Sequence, residues 1–237
     1  MPLRGLFVTG TDTGVGKTWV TAGIVKCLRA RGMSVGAYKP VASGSVPGPH
    51  GPEWEDVERL AEAVDRAFPS EMVCPQRFQA PLAPPAAAER EGKVVDAARL
   101  QSGAAWWSGR VEALIVEGVG GLLAPLAIGV NVADLAVELG FPLLVVARRS
   151  LGTLNHTLLT LEGARSRGLQ VAGIVLNQAT PPDPDDLAWA TNRSQLAAWT
   201  EIPILAELDH SPGSDLLRCE AFFTIQWEQL LAEGKLR

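Results

Sequence analysis

Cysteine, positive charge and long apolar runs are all scarce in this 237-residue sequence. The cysteines, Cys27, Cys74 and Cys219, are too scattered for a disulfide framework or a zinc site and indicate reduced thiols in a cytoplasmic protein. The net charge of -5 leaves no lysine and arginine excess, so nucleic acid is not an expected partner. No apolar run reaches the roughly 18 residues of a membrane span, and no signal peptide is recognisable, so no membrane association is expected.

Apolar residues make up 47% of the chain, which is enough for a large core in one domain over residues 1–237. Short apolar runs alternate with longer helical patterns. Such alternation predicts an α/β fold, with a mostly parallel sheet covered by helices on both faces. The predicted strands are "GLFVTG", "SVGAYKPV", "EALIVEG", "FPLLVVA", "LQVAGIVLNQ" and "IPILAEL"; the predicted helices include "EWEDVERLAEAVDRAF" and a closing "SDLLRCEAFFTIQWEQLLAEG".

A proline-rich segment, residues 74–92, interrupts this alternation. Its prolines exclude a continuous helix or a central strand. We expect an ordered excursion over the ligand-binding edge of the sheet, with a disordered linker as the alternative.

The stretch "GTDTGVGKT" follows the first predicted strand and opens a helix. Its first glycine, Gly10, lies one position earlier than in the usual phosphate-binding loop. Gly14 and Gly16 allow close approach of backbone amides to an anion, and the helix start favours negative charge. Lys17 adds a point charge and Thr18 a hydroxyl for Mg²⁺. The pattern predicts a P-loop NTPase-like fold with a phosphate site.

Charged residues stand where two further strands end at the same edge. Lys39 follows the second strand and is expected to face the ligand crevice. Glu117 ends the third, where P-loop enzymes place a second Mg²⁺ contact, and Gly118 and Gly120 beside it allow close backbone approach. Asp56 is one of several acids on an amphipathic helix, and pattern alone favours a solvated face for it.

Two later positions leave alternatives open. Asn177 ends a strand and could read a purine edge or form a turn. Gly152 and Thr153 begin a helix, with Thr153 as the expected N-cap. This helix start could bind a substrate carboxylate or could simply be a cap.

These landmarks together resemble the dethiobiotin synthetases, which are ATP-dependent enzymes of biotin synthesis. The resemblance rests on "VTGTDTGVGKT", "YKPVASGS", "APLAPPAAA", "VEGVGGLLAPL", "LGTLNHTLLT", "GIVLNQATPP" and "EIPIL", which run in order through the chain. It implies that CO₂ adds to an amine of 7,8-diaminononanoate, that the carbamate attacks the γ-phosphate of ATP, and that the second amine closes a cyclic urea.

The resemblance also implies a role for individual residues. Lys39, Lys17 and Thr13 would be catalytic, and Mg²⁺ would be held by Thr18, Asp56 and Glu117. Substrate contacts would come from Thr13, Ser43, Gly152, Thr153 and Asn155, the last three across the interface of a homodimer. ATP contacts would come from Gly14, Val15, Gly16, Lys17, Thr18, Asp56, Glu117, Gly118, Val119, Gly120, Asn177, Gln178, Pro203, Ile204 and Leu205.

The sequence departs from the family pattern in three places: Gly14 stands where some members carry glutamate, Pro85 where members often carry histidine, and Gln178 where an aspartate can sit. Other readings are a partitioning ATPase, a corrinoid amidase and an inactive paralogue. No lysine precedes Lys17 in the loop, which argues against the partitioning ATPase. The chain is short for a glutaminase domain, and the complete set of charged residues argues against an inactive paralogue.

Overall fold

The computed structural model describes residues 2–181, 185–210 and 220–235. Within them the strands are β1 Arg4–Gly10, β2 Val35–Tyr38, β3 Ala42–Ser43, β4 Val46–Gly48, β5 Gly51–Glu53, β6 Arg77–Phe78, β7 Ala113–Gly121, β8 Pro125–Ala127, β9 Val130–Asn131, β10 Leu143–Arg148, β11 Val171–Asn177, β12 Ile204–Leu208 and β13 Ala232–Glu233. The helices are α1 Lys17–Ala30, α2 Glu55–Ala63, α3 Ser70–Val73, α4 Pro84–Arg90, α5 Ala97–Ala105, α6 Val132–Leu139, α7 Thr153–Arg165, α8 Ala188–Ala197, α9 Glu220–Thr224 and α10 Trp227–Leu230. None of the helices described here has the length and apolarity to cross a membrane.

A seven-stranded sheet organises the described residues, in the order β12-β11-β10-β1-β7-β2, with β13 joining β1. All pairs along this path are parallel, while β13 is antiparallel. Successive side chains of a strand point to opposite faces, yet Leu6, Phe7 and Val8 are all fully buried. Both faces of the sheet are therefore covered, and the predicted α/β architecture is confirmed.

The parallel arrangement brings the carboxyl ends of the central strands to one edge. There Gly10 ends β1 between its neighbours β7 and β10, and Asn177 ends β11 two strands away. Glu117 lies within β7, beside Val8 of β1, because β7 continues to Gly121. This edge collects the glycine-rich loop and most of the polar strand ends.

The proline-rich segment forms ordered structure above this edge, as the sequence predicts. β6 pairs in parallel with β3, and α4 begins at Pro84. Proline is tolerated in a first helical turn, since its missing N–H would have no helical partner there. Residues Pro81 to Pro84 form part of the cavity wall described below.

The predicted closing helix, residues 214–234, is wrong over its described part. The chain forms two short helices, α9 and α10, and then turns into β13, where Glu233 pairs with Arg4 of β1. Residues 214–219 of the prediction lie outside the described residues. The predicted helix over residues 53–68 is also too long, because Asp65 and Arg66 adopt positive φ angles of 54° and 50°. Helices α5 and α8 were not predicted.

The C-terminal segment, residues 220–235, packs against α1. Phe222 and Trp227 are almost fully buried, and Trp227 Nε1 donates to the carbonyl of Phe222 at 2.7 Å. Arg31, directly after α1, binds both carboxylate oxygens of Glu228 at 2.6 and 2.9 Å. This segment therefore stabilises the helix that carries the glycine-rich loop.

We predict that Trp227→Ala lowers the free energy of unfolding by about 3–5 kcal/mol, because it opens a cavity under α1 and removes a buried hydrogen bond. Trp199→Ala is the matched control. Trp199 is 71% exposed, so its loss should change stability by no more than about 0.5 kcal/mol. Urea denaturation of both variants measures the difference. Equal stabilities would show that the C-terminal segment contributes little.

Candidate active site

The glycine-rich loop between β1 and α1 has the backbone of an anion site. Gly14 and Gly16 have φ angles of 72° and 89°, in the left-handed region that other residues rarely adopt. Gly16 is the N-cap of α1 and provides no side-chain cap. The first N–H groups of α1 therefore point at the loop without a side-chain acceptor at the N-cap, which is the arrangement that binds phosphate.

Asn177 braces this loop from the neighbouring part of the sheet edge. Its Nδ2 donates to the carbonyl of Val15 at 2.9 Å, and its side chain is nearly buried. A Cβ on Gly16 would lie 2.1 Å from this nitrogen, so only glycine fits there. The amide of Asn177 is thus committed to the loop backbone, a use that the sequence did not predict.

Lys17 carries a buried cation close to the loop backbone. Its Nζ donates to the carbonyl of Asp12 at 2.9 Å. Burial and, to a smaller extent, the nearby charge of Lys39 lower the pKa of Lys17 to about 8, although Glu117 and Asp56 act in the opposite direction. A bound anion would stabilise the charged form of this ammonium.

Four side chains from four elements converge beside the loop. Thr18 Oγ1 lies 2.8 Å from Asp56 Oδ1 and 2.7 Å from Glu117 Oε1, and its single proton can be donated to one of them at a time. Lys39 Nζ forms ion pairs with Asp56 and with Glu117, the latter at 2.6 Å. Pattern alone favoured a solvated face for Asp56, and the structure corrects this: its carboxylate joins the cluster.

The charged groups of this cluster shift one another's pKa values. Burial alone would lower the pKa of Lys39, but the carboxylates of Glu117 and Asp56 outweigh it and raise that pKa. Burial raises the pKa of Glu117, whereas Lys39 keeps the pKa of the half-exposed Asp56 below its usual value despite desolvation. Lys39 is therefore a cation that neutralises two acids within the chain itself.

The oxygen atoms of this cluster fit a magnesium ion. Glu117 Oε2 is buried and has no hydrogen-bond partner, so one oxygen remains available. Mg²⁺ prefers oxygen ligands and is usually held by one or two carboxylates together with phosphate oxygens. No group of three or more His, Cys, Asp or Glu suited to a metal occurs among the described residues, so the protein alone offers no complete cage there.

A cavity of about 780 Å³ joins the cluster to the segment above the sheet edge. Thr13 and Ser43 line it, and the hydroxyl of Ser43 donates to the carbonyl of Leu82 at 2.6 Å. Trp19 also lines the cavity and was not predicted, although it directly follows Thr18. The predicted site residues that line the cavity are Thr13, Gly14, Gly16, Lys17, Thr18, Lys39, Ser43, Asp56, Glu117, Val119 and Gly120.

The helix start at Gly152 is separate from this cavity. Gly152, Thr153 and Asn155 are absent from its lining. Thr153 is not the N-cap as expected: Gly152 is, with a φ of 92°, and α7 begins at Thr153. The side-chain hydroxyl of Thr153 is buried and has no hydrogen-bond partner.

The segment predicted to contact adenine lies at the amino end of its strand. β12 is parallel to β11, with Ile204 opposite Ile174 and Leu208 opposite Asn177. Pro203, Ile204 and Leu205 therefore lie at the amino end of β12, several residues from the loop edge. The parallel register brings Leu208 next to Asn177. Adenine contacts by Pro203, Ile204 and Leu205 stay a prediction. The side chain of Gln178 bonds to the Thr180 carbonyl at 3.1 Å.

Comparison with known proteins first defines the class. A family model described as an AAA domain matches residues 4–215. A ParA family ATPase from Chlorobium tepidum superposes with a TM-score of 0.53 at 16% identity, covering 95% of this chain and 93% of that one. A cobyrinic acid a,c-diamide synthase from Mycobacterium smegmatis gives 0.51 at 15% identity, over 94% and 92%. The fold is that of the P-loop NTPases.

Sequence relatives then define the family. The ATP-dependent dethiobiotin synthetase BioD of Anaeromyxobacter dehalogenans strain 2CP-1 is 50% identical over 90% of this chain and 97% of its own length. The synthetase of Rhodopirellula baltica is 40% identical over 87% and 84%, and that of Bacillus velezensis 40% over 90% and 91%. The chain belongs to the family of ATP-dependent dethiobiotin synthetases, which are ligases.

We predict that Lys39→Met lowers the free energy of unfolding by about 3 kcal/mol at neutral pH, because it leaves the buried Glu117 unpaired. The double variant Lys39→Met with Glu117→Gln removes both charges and should regain at least half of the loss. Chemical denaturation without nucleotide measures both. If Lys39→Met is as stable as the unchanged protein, the ion pair does not hold the cluster together.

Proposed function

We propose that this protein forms dethiobiotin from 7,8-diaminononanoate, CO₂ and ATP, in a reaction that depends on Mg²⁺ and releases ADP and phosphate. The observation that carries the proposal is the cluster of Lys39, Thr18, Asp56 and Glu117 beside a phosphate-binding loop. This cluster occurs in a chain that belongs to the dethiobiotin synthetase family.

The reaction would proceed in three steps. One amine of the substrate adds to CO₂ and loses a proton, which gives a carbamate. A carbamate oxygen attacks the γ-phosphorus of ATP, ADP leaves, and a carbamic–phosphoric anhydride forms. The second amine attacks the carbonyl carbon, phosphate leaves, and the five-membered cyclic urea closes. The protein's task is mostly positioning and charge neutralisation, as in other phosphoryl transfers.

The loop and the acids would serve the nucleotide. Lys17 and the N–H groups at the start of α1 would bind the β- and γ-phosphates. Thr18, Asp56 and Glu117 would hold Mg²⁺, which neutralises charge on the phosphates during transfer. The unpartnered Glu117 Oε2 supports this assignment, because a buried oxygen without a partner is costly unless a cation or donor meets it.

Lys39 would act between the two anions that must react. A carbamate and a γ-phosphate repel each other, and a buried ammonium beside both stabilises the charge that develops during transfer. Lys39 is nearly buried and lies within the cavity that Thr13 and Ser43 also line. Thr13 and Ser43 would then contact the substrate or its carbamate.

The substrate carboxylate would be bound across a homodimer. Gly152, Thr153 and Asn155 do not line the cavity of their own chain, so contact with the same substrate requires a second copy. Leu151 and Leu159, before and within α7, are 84% and 63% exposed, as expected for a surface that another subunit covers. The enzyme would work in the cytoplasm.

One assay tests the activity directly. The purified protein is incubated with diaminononanoate, bicarbonate, Mg²⁺ and ATP, and the cyclic urea is sought by mass spectrometry. We expect product in proportion to ADP released. Lys39→Gln should lower kcat about 10²-fold, the scale of losing one preorganised charge contact. ATP hydrolysis without any product would contradict the proposal and favour a switch-type ATPase.

A complementation experiment tests the shared site. Lys39→Gln and Asn155→Ala should each be weakly active alone, whereas a mixture refolded together should regain about a quarter of full activity, since half of the dimers would hold one intact site of two. Sedimentation should give the mass of a dimer. The control mixes Lys39→Gln with Glu117→Gln, which damage the same site and should not complement. Equal activity of both mixtures would exclude a site shared between subunits.

A further inference from the structure

The first turn of α1 carries an aromatic side chain whose role the activity does not explain. Trp19 directly follows Thr18, is half-buried, and lines the same cavity as Gly16, Lys17 and Ala179. Side chains of a helix tilt toward its N-terminus. The indole of Trp19 is therefore directed toward the turn that presents the phosphate-binding N–H groups.

One side of this indole packs against Phe222. Its ring centroid lies 5.3 Å from that of Phe222, at an interplanar angle of 56°. Phe222 packs so closely on α1 that a Cβ on Gly23 would lie 2.6 Å from its ring. The carbonyl of Phe222 accepts hydrogen bonds from Trp227 Nε1 at 2.7 Å and Cys27 Sγ at 3.4 Å. Trp19 is thus held in place from one side and open to the cavity on another.

The direction of the nucleotide follows from the charges around the loop. Lys39, Asp56 and Glu117 mark the γ-phosphate end, where the metal and the second substrate would meet. The phosphate chain then continues along the loop and the first turn of α1, so its nucleoside end leaves from the Gly16 side. Trp19 lines the cavity together with Gly16 and Ala179, close to this end.

We infer that Trp19 is a nucleoside-contacting residue, whose indole packs against the ribose or base of ATP. The inference rests on the proposed binding of ATP. Aromatic packing on a base is tolerant of base identity, because every base has a π-face. Trp19 would therefore raise the affinity for adenine and guanine nucleotides alike and contribute nothing to binding of the phosphates alone.

Calorimetric titration with a matched pair of ligands tests this assignment. ADP and pyrophosphate, each with Mg²⁺, differ only by the nucleoside. We expect Trp19→Ala to raise the Kd of ADP about tenfold and to change that of pyrophosphate less than twofold. Trp19→Phe should restore most of the ADP affinity, and GDP should lose affinity by the same factor. Trp199→Ala, at a 71% exposed tryptophan, should change neither Kd.

Several results would overturn the inference. Equal losses for ADP and pyrophosphate would mean that Trp19 only orders the loop, and an unchanged ADP affinity would mean that the nucleoside lies elsewhere. If Trp19→Ala does not fold, Trp19→Leu keeps an apolar contact with Phe222, and the same comparison applies. No diaminononanoate is present, so a selective loss of ADP affinity would support Trp19 even if the protein forms no dethiobiotin.

Discussion

One buried ammonium determines how the active-site edge can be built. Lys39 directly follows β2 at the sheet edge and lies between Glu117 of β7 and Asp56 of α2. Two carboxylates this close would repel each other strongly in a buried site, and one of them would take up a proton. The Lys39 charge removes that repulsion, so that α2 can approach the loop and Thr18 can reach both acids. The positions of the loop, the helix and the cavity depend on this ion pair.

The glycine-rich loop depends on a second interaction, a hydrogen bond from Asn177. The first turn of α1 needs unpaired N–H groups to bind an anion, so the protein cannot stabilise the loop by capping the helix. It uses the side chain of Asn177 on the Val15 carbonyl instead, with Gly16 leaving room for the amide. The loop is thereby fixed without loss of its binding groups. The side chain of Asn177, at a strand end, thus binds the backbone of the loop.

Features set by local chemistry could be predicted from the sequence, and features set by tertiary packing could not. Strand, glycine-rich loop and helix follow each other over Arg4 to Ala30, and the prediction there is confirmed. Asp56 is one of several acids on its helix. Nothing in the local sequence pattern therefore indicates that Asp56, and not another acid, pairs with Lys39. The broken C-terminal segment has a helical pattern, yet β13 pairs with β1. The position of Pro203 to Leu205 at the amino end of β12 could not be predicted, because a motif gives an order along the chain, whereas strand direction decides which end meets the loop.

The two tasks given to Lys39 are compatible for a physical reason. Within the chain its charge neutralises acids that, under the proposed function, would also bind a metal ion. A cation that takes over the oxygens of Glu117 removes the need for Lys39 there, and a flexible four-carbon stem lets the ammonium turn toward a new anion. The carboxylates of Glu117 and Asp56 raise the pKa of Lys39 and keep it charged before substrates bind, and nearby anions would favour its charged form afterwards. The same residue can therefore stabilise the protein before substrates bind and, under the proposed function, stabilise the reacting carbamate afterwards.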